Sequence, residues 1–553
     1  MAEWVSLCAM HRSQCRRFGT RVAMRYPADG LYHDVSWDSY RRSADRAAAG
    51  LIGLGVQSGD RIAMLSENRA EWLMADHAVL STGAADVPMH APLAPKQVAF
   101  QTGHSEARGI IVSGQAQADK VYEVLDELPA LEFLISFDPI VPRSDRLTTL
   151  TWQGLIHRAS AENLAAVALR EAELSASSLA TIIYTSGTTG NPKGVMLSHG
   201  NLLSNALSTG RIAFVTMNDQ LLSWLPYSHI YARTVDQYLT STAGVTVALA
   251  ESVETLLDNL KRVQPTWLTS VPRVYEKIWN SLATLAPDDR ISALRSIFGE
   301  QIKQLSSGGA PLPKFIAEGF FEAGYPLLEG YGLTETSPVI AFNSIETYRL
   351  GSVGKPLDEV EVRIAEDGEI LTRGPHVMQG YWKNPQATSE TIVDGWLYTG
   401  DVGRLDEDGF LYITDRKKDL FVTSAGKNIA PAELERLLGR DEYIDQAVVY
   451  GDGRQFVTAL VVPNLELLEE LADERGWLIE SDGDFLTTST LLEFLDERVA
   501  AVMEQVSHPE RVKRCLYLER PFQVEDDELT ATLKVRRRHI ISRYEEQLAA
   551  IYE

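Results

Sequence analysis

Short apolar runs alternate with helix-length amphipathic segments along the first part of the chain. Ser39 to Ile52 reads as a helix closed by Gly53 and Gly55, Arg61 to Leu65 as a strand, and Glu71 to Ser81 as a second helix. Such alternation predicts an α/β layer built on a mostly parallel sheet. Gly109 to Val112 adds a strand, and helices with acidic loops fill the chain from there to residue 180. Gly53-Leu54-Gly55 is followed by Ser58 where a dinucleotide fingerprint needs glycine, so it reads as a helix cap. The β-branched run Thr181 to Tyr184 reads as a buried strand. Val195 to Leu197 reads as a strand, and Ser198-His199-Gly200-Asn201 as a helix start. Pro265 to Arg273 reads as a strand running into a turn, and Ile302 to Leu305 as another strand. Residues 419–553 carry strand and helix signals of their own, enough for a separate compact domain.

Composition changes this picture little. The 553 residues suffice for roughly three to four domains. Hydrophobic and charged contents of 45% and 23% are those of an ordinary soluble protein. The net charge of -24 argues against a broad nucleic-acid surface or adhesion to anionic membrane, though not against a local basic pocket. Cys8, Cys15 and Cys515 lack metal spacing and suggest a reducing compartment. The short apolar run after Glu3 is followed, not preceded, by basic residues, so no secretory signal is read. No run of about 18 apolar residues predicts a transmembrane helix. A cytoplasmic location with at most peripheral membrane contact is expected.

The chemistry centres on Tyr184-Thr185-Ser186-Gly187-Thr188-Thr189-Gly190-Asn191-Pro192-Lys193-Gly194. Glycines let backbone N–H groups approach an anion, Thr185, Ser186, Thr188 and Thr189 add hydroxyl donors, and Lys193 supplies a point charge. This suits a polyphosphate. It is not the common P-loop, because Gly194 stands where that motif needs serine or threonine after the lysine. A plain surface hairpin would need no such density of hydroxyls and glycines beside a lysine.

The loop resembles the signature of the AMP-forming adenylating enzymes: acyl-CoA synthetases, firefly luciferase and peptide-synthetase adenylation domains. The remaining motifs follow in order over nearly the whole chain. Ser306-Ser307-Gly308-Gly309-Ala310-Pro311 resembles the family's adenine-pocket loop. In Glu329-Gly330-Tyr331-Gly332-Leu333-Thr334-Glu335-Thr336, Tyr331 offers a face for adenine, Thr334 a hydroxyl for the α-phosphate and Glu335 a hard oxygen for magnesium. Asp401, expected just after the strand-like run Trp396 to Thr399, resembles the family's ribose ligand. In Asp415-Arg416-Lys417-Lys418-Asp419 the resemblance makes Arg416 a nucleotide contact and Lys418 the hinge between a domain of residues 1–417 and a mobile one of residues 418–553. In Thr423 to Glu435, the loop holding Gly426 is similar to one that meets the thiol acceptor. Lys534, in Leu529 to Arg538, matches the catalytic lysine. His229, in Leu225-Pro226-Tyr227-Ser228-His229-Ile230-Tyr231, is the candidate gate of an acyl pocket. On its residues alone it reads as a packed core histidine.

The fold class implied is α/β, with a large N-terminal domain of mostly parallel sheets and flanking helices and a small α+β C-terminal domain. The motifs Leu225 to Tyr231, Pro265 to Lys277 and Asp415 to Glu435 resemble long-chain fatty acyl-CoA synthetases most. The implied reaction uses ATP and magnesium to make an acyl-adenylate and coenzyme A to accept the acyl group. Three alternatives stay open. An acyl-AMP ligase would load a carrier-protein thiol. A luciferase-like oxygenase would emit light with oxygen. A catalytically inactive nucleotide-binding regulator would bind nucleotide without releasing pyrophosphate.

Overall fold

The computed structural model describes residues 4–185, 192–282, 285–417, 419, 421–424, 428–524, 526–530 and 535–552. Ser186, Gly187, Thr188, Thr189, Lys418, Gly426 and Lys534 lie outside the described residues.

Two large sheets carry the N-terminal part. The first has eight strands, running from Gly380–Tyr381 at one edge through Lys193–Ser198, Leu179–Thr185, Ala85–Met89, Arg61–Leu65, Gly109–Val112 and Phe133–Ser136 to Thr148–Thr151. Its strands are parallel from Leu179–Thr185 to the far edge. Leu179–Thr185 and Lys193–Ser198 form an antiparallel hairpin whose connection is the phosphate-type loop. Ile62, Ile110, Ile111 and Val112 are fully buried, as strands covered by helices on both faces require.

The second sheet has nine strands, and its parallel centre runs Leu327–Gly332, Gln304–Ser307, Trp267–Ser270, Gln220–Ser223, Thr246–Leu249 and Val22–Ala28. Sequence periodicity reads Ile302 to Leu305 as the strand, whereas the paired segment is Gln304–Ser307. Gln304, Ser306 and Ser307 are buried polar residues, so the apolar run misses the register by two positions. The turn expected after Ser270 is the start of helix Pro272–Ser281, with proline in its first turn.

A smaller antiparallel sheet of Glu361–Ile364, Glu369–Arg373, Ile392–Val393, Trp396–Leu405 and Leu411–Arg416 joins these layers. Asp401 therefore sits inside the ten-residue strand Trp396–Leu405 rather than after it. Gly400 before it has φ of 73°, a left-handed conformation that a side chain disfavours, and the pairing slips just beyond, at Val402 and Gly403.

The C-terminal part has its own sheet of Ile444–Tyr450, Val457–Pro463 and Val512–Tyr517. Leu434, Leu438, Val461 and Leu495 pack on one face of it, and Val448, Leu460, Ile540 and Leu548 on the other. Among the described residues no helix is long and apolar enough to cross a membrane.

Candidate active site

One cleft of about 1750 Å³ opens where the sheets and the C-terminal part meet. Its walls include Thr185, Lys193, His229, Gly309, Ala310, Pro311, Tyr331, Gly332, Thr334, Glu335, Asp401 and Arg416. Every described candidate from the sequence thus reaches one cavity, although they come from strands of three sheets and the loops between them.

The loop after Leu327–Gly332 is tightly fixed. A Cβ at Gly332 would lie 1.7 Å from the Pro338 carbonyl oxygen, so the close return of the chain requires glycine. The turn Thr334–Thr336 is tied at both ends: Leu333 N donates to Thr336 Oγ1 at 2.9 Å, and Ser337 Oγ donates to the His376 carbonyl at 2.8 Å. Asn205 clamps the following strand through the carbonyl and amide of Val339.

Asp401 is 3% exposed and already engaged on both oxygens. Tyr331 Oη donates to Asp401 Oδ2 at 2.7 Å, and Arg416 Nε lies 3.0 Å from Oδ1. Asp401 and Arg416 are cross-strand partners, so the pairing register makes this contact. Glu329 reaches the cleft from the same strand as Tyr331 and accepts a hydrogen bond from Leu312 N at 3.1 Å. Burial pushes its carboxyl up to about 8.

Tyr381 carries no signal in the sequence, yet it joins two candidates. Its hydroxyl donates to Glu335 Oε1 at 2.8 Å, and Lys193 Nζ lies 4.9 Å from its ring centroid. The residue belongs to the two-residue edge strand Gly380–Tyr381, brought to Lys193–Ser198 by pairing across almost two hundred residues. We expect Tyr381→Phe, which keeps the ring beneath Lys193 but frees the Glu335 carboxylate, to lower the rate of ATP-dependent turnover about tenfold. Steady-state rates over a range of magnesium concentrations check this. Tyr381→Leu should cost more, through Lys193.

From the C-terminal part, Thr530, Val535, Arg536 and Arg537 face the cleft. Arg537 pairs with Glu435 and with Asp419, which fixes the chain just after residue 534. Arg273, in the segment Pro265 to Lys277, pairs with Asp445 and so joins the two parts of the chain beside the cleft. Burial pushes the neighbouring Glu276 up to about 7.

Among the described residues no cluster of three or more histidine, cysteine or acidic side chains could hold a metal by itself. Glu335 offers one carboxylate to the cleft. That donor set suits magnesium, which keeps waters and substrate phosphate oxygens and takes one or two carboxylates.

A fold of two mostly parallel sheets flanking a cleft with a Gly/Thr-rich hairpin loop, together with a C-terminal cap, defines an adenylate-forming enzyme. The chain belongs to the AMP-binding enzyme family, which matches residues 11–382, with the family's C-terminal domain over residues 418–553. It is 35% identical to the long-chain-fatty-acid–CoA ligase FadD15 of Mycobacterium bovis over 95% of this chain and 93% of that one. It is 27% identical to the long-chain-fatty-acid–[acyl-carrier-protein] ligase AEE15 of Arabidopsis thaliana, over 100% of this chain and 87% of that one. Among solved structures, the anthranilate CoA ligase AuaEII in complex with anthranoyl-AMP superposes with a TM-score of 0.82 at 19% identity, covering 100% of this chain and 99% of that one.

Proposed function

We propose that the protein activates a long-chain fatty acid with ATP to the acyl-adenylate and transfers the acyl group to coenzyme A, releasing AMP and pyrophosphate. The observation that carries this reading is the one cleft that gathers Thr185, Lys193, the Tyr331–Asp401–Arg416 cluster and Glu335, and whose lining also includes His229 and the apolar residues Leu225, Ile230, Val235, Trp267 and Val339. A polyphosphate nucleotide suits the first set and an acyl chain the apolar residues.

A carboxylate is a poor electrophile, and the adenylate solves this. In the first step a carboxylate oxygen bonds to the α-phosphorus while the bond from that phosphorus to the bridging oxygen of pyrophosphate breaks. Positioning and charge neutralisation carry such a step. We assign the departing pyrophosphate to the Thr185–Lys193 loop, the α-phosphate to Thr334 and the ribose to Asp401. Gly309, Ala310 and Pro311 line the adenine, and His229 borders the acyl chain. Magnesium, held by Glu335 and the phosphates, would neutralise charge on the phosphate oxygens. Lys534 meets the charge developing at the α-phosphorus. In the second step the thiol attacks the acyl carbonyl and AMP leaves. Rotation of residues 418–553 about Lys418 exchanges Lys534 for the loop holding Gly426, because one cleft cannot hold both arrangements.

The test is ATP–pyrophosphate exchange with carboxylic acids from short to long chain and aromatic, each then offered coenzyme A. Long fatty acids should drive exchange, and coenzyme A should yield the thioester with AMP. Exchange without transfer to coenzyme A would move a carrier-protein thiol into its place. Nucleotide binding with no exchange from any acid would overturn the enzymatic reading.

A further inference from the structure

Behind the cleft, outside its lining, lies a fully buried charged network. Helix Ile230–Ala232 follows the cap residue His229 and widens into a π-helical segment, Arg233–Leu239. Such wide turns interrupt helices mostly at functional places. Arg233, Asp76 and Asp86 are each 0% exposed. Arg233 Nη2 lies 2.5 Å from Asp76 Oδ1 and 2.8 Å from Asp86 Oδ1. Arg233 Nη1 donates to Thr181 Oγ1 at 2.7 Å, and Nε donates to Tyr238 Oη at 2.9 Å. Asp76 Oδ2 also accepts from Tyr238 Oη and Gln237 Nε2. Burial pushes Asp86 up to about 7. At Asp76 burial is the largest single effect, but Arg233, His77 and the Tyr238 hydrogen bond together outweigh it, and its carboxyl falls below the ordinary value. Taking such charges out of water is expensive; Asp76 is offset by three partners, whereas among the described residues Asp86 has only its ion pair with Arg233.

What the network holds is specific. Thr181 lies on strand Leu179–Thr185, which delivers Thr185 to the phosphate-type loop. The next residue on the helix, Thr234, donates from Oγ1 to the Ser337 carbonyl at 2.9 Å, at the end of the turn that carries Thr334 and Glu335. Adjacent positions on a helix point in different directions. Two adjacent side chains therefore reach the strand that ends at Thr185 and the turn that carries Thr334 and Glu335. The same helix starts at His229 and sets Tyr231 against Gly308, beside the Gly309–Pro311 loop.

We propose that Arg233 and Thr234 are positioning residues that fix the strand leading into the Thr185–Lys193 loop and the Glu335 turn at one separation, so that both engage the same ATP. This rests on the reading above that these two pieces hold the phosphates. Arg233 and Thr234 touch no reacting atom and act through Thr181 and Ser337.

The test uses the full-length enzyme and pyrophosphate exchange. Thr234→Val keeps the shape and removes the hydroxyl. It should lower kcat/KM for ATP on the order of tenfold while leaving KM for the fatty acid unchanged, since small misplacements near a reacting centre are costly. Thr234→Ser should restore it. Arg233→Lys, which keeps the charge but loses the fork to Thr181, should show the same ATP-selective loss and serves if the valine variant folds poorly. An unchanged kcat/KM for ATP in both variants overturns the proposal. So does an equal loss for both substrates that follows the melting temperature and is not rescued by serine. Lys193→Ala separates the premises. If it loses ATP use while Thr234→Val does not, positioning fails and the phosphate reading stands. If Lys193→Ala is silent, the phosphate reading falls and the positioning claim with it.

Discussion

Lys534→Ala is expected to remove ATP–pyrophosphate exchange almost completely while leaving thioester formation from supplied acyl-adenylate intact. A preorganised cation facing a developing phosphoryl charge contributes about 10²–10³-fold when it is deleted. The chain on both sides of Lys534 is held at the cleft. Leu529 bridges Val535 across the intervening residues, Arg536 N donates to the Glu528 carbonyl at 2.8 Å, and Arg537 is locked by Glu435 and Asp419. Thr530 and Val535 form part of the wall itself. The thiol step uses no charge build-up at phosphorus beyond the departing AMP, so it does not need this lysine. Rapid-quench measurement of the two half-reactions decides the matter. Equal losses in both would contradict a role confined to adenylation.

The described candidates that share the cleft could be picked out in the sequence because their motifs are local. The phosphate-type loop, the Tyr331–Thr336 segment and the Gly309–Pro311 loop each carry their chemistry within a few residues, and a hairpin or a strand end presents them directly. The parallel sheets were legible for a similar reason: Arg61 to Leu65 and Gly109 to Val112 are short apolar runs between helical segments, and they form adjacent strands. What escaped depends on distance along the chain. Tyr381 meets Glu335 and Lys193 only through strand pairing. Asp76, Asp86, Thr181 and Arg233 come from a helix, two strands and a second helix. In sequence, Asp76 is an isolated carboxylate in a mostly apolar segment with no partner nearby in the chain, and the helix Ala70–Ser81 is buried on all sides. Of the antiparallel sheet of Glu361–Arg416 only the run at Trp396 was legible; Glu361–Ile364, Ile392–Val393 and Leu411–Arg416 are short or half-exposed, so their apolar runs are weak.

Asp401→Asn should lower kcat/KM for ATP about 10²-fold with little change in KM for the fatty acid. The carboxylate now accepts from Tyr331 and pairs with Arg416, and it retains lone pairs for ribose hydroxyls. An amide has one acceptor oxygen and a donor group in place of the second oxygen. It can satisfy Tyr331 or Arg416, but it turns an N–H toward whichever remains. A hydrogen bond to a charged group is worth roughly 1.5–3 kcal/mol, which corresponds to the fall expected. Loss of the Arg416 pair alone would also raise KM for ATP, so the variant must be read against a second change. Removing the 2′-hydroxyl from the nucleotide supplies it. If Asp401 holds the ribose, 2′-deoxy-ATP is a poor substrate for the wild-type enzyme, and the Asn variant loses little more when given it. If the carboxylate only organises Tyr331 and Arg416, the two losses add. Additive losses would reassign Asp401 from ligand to scaffold and leave the ribose to another group in the cleft.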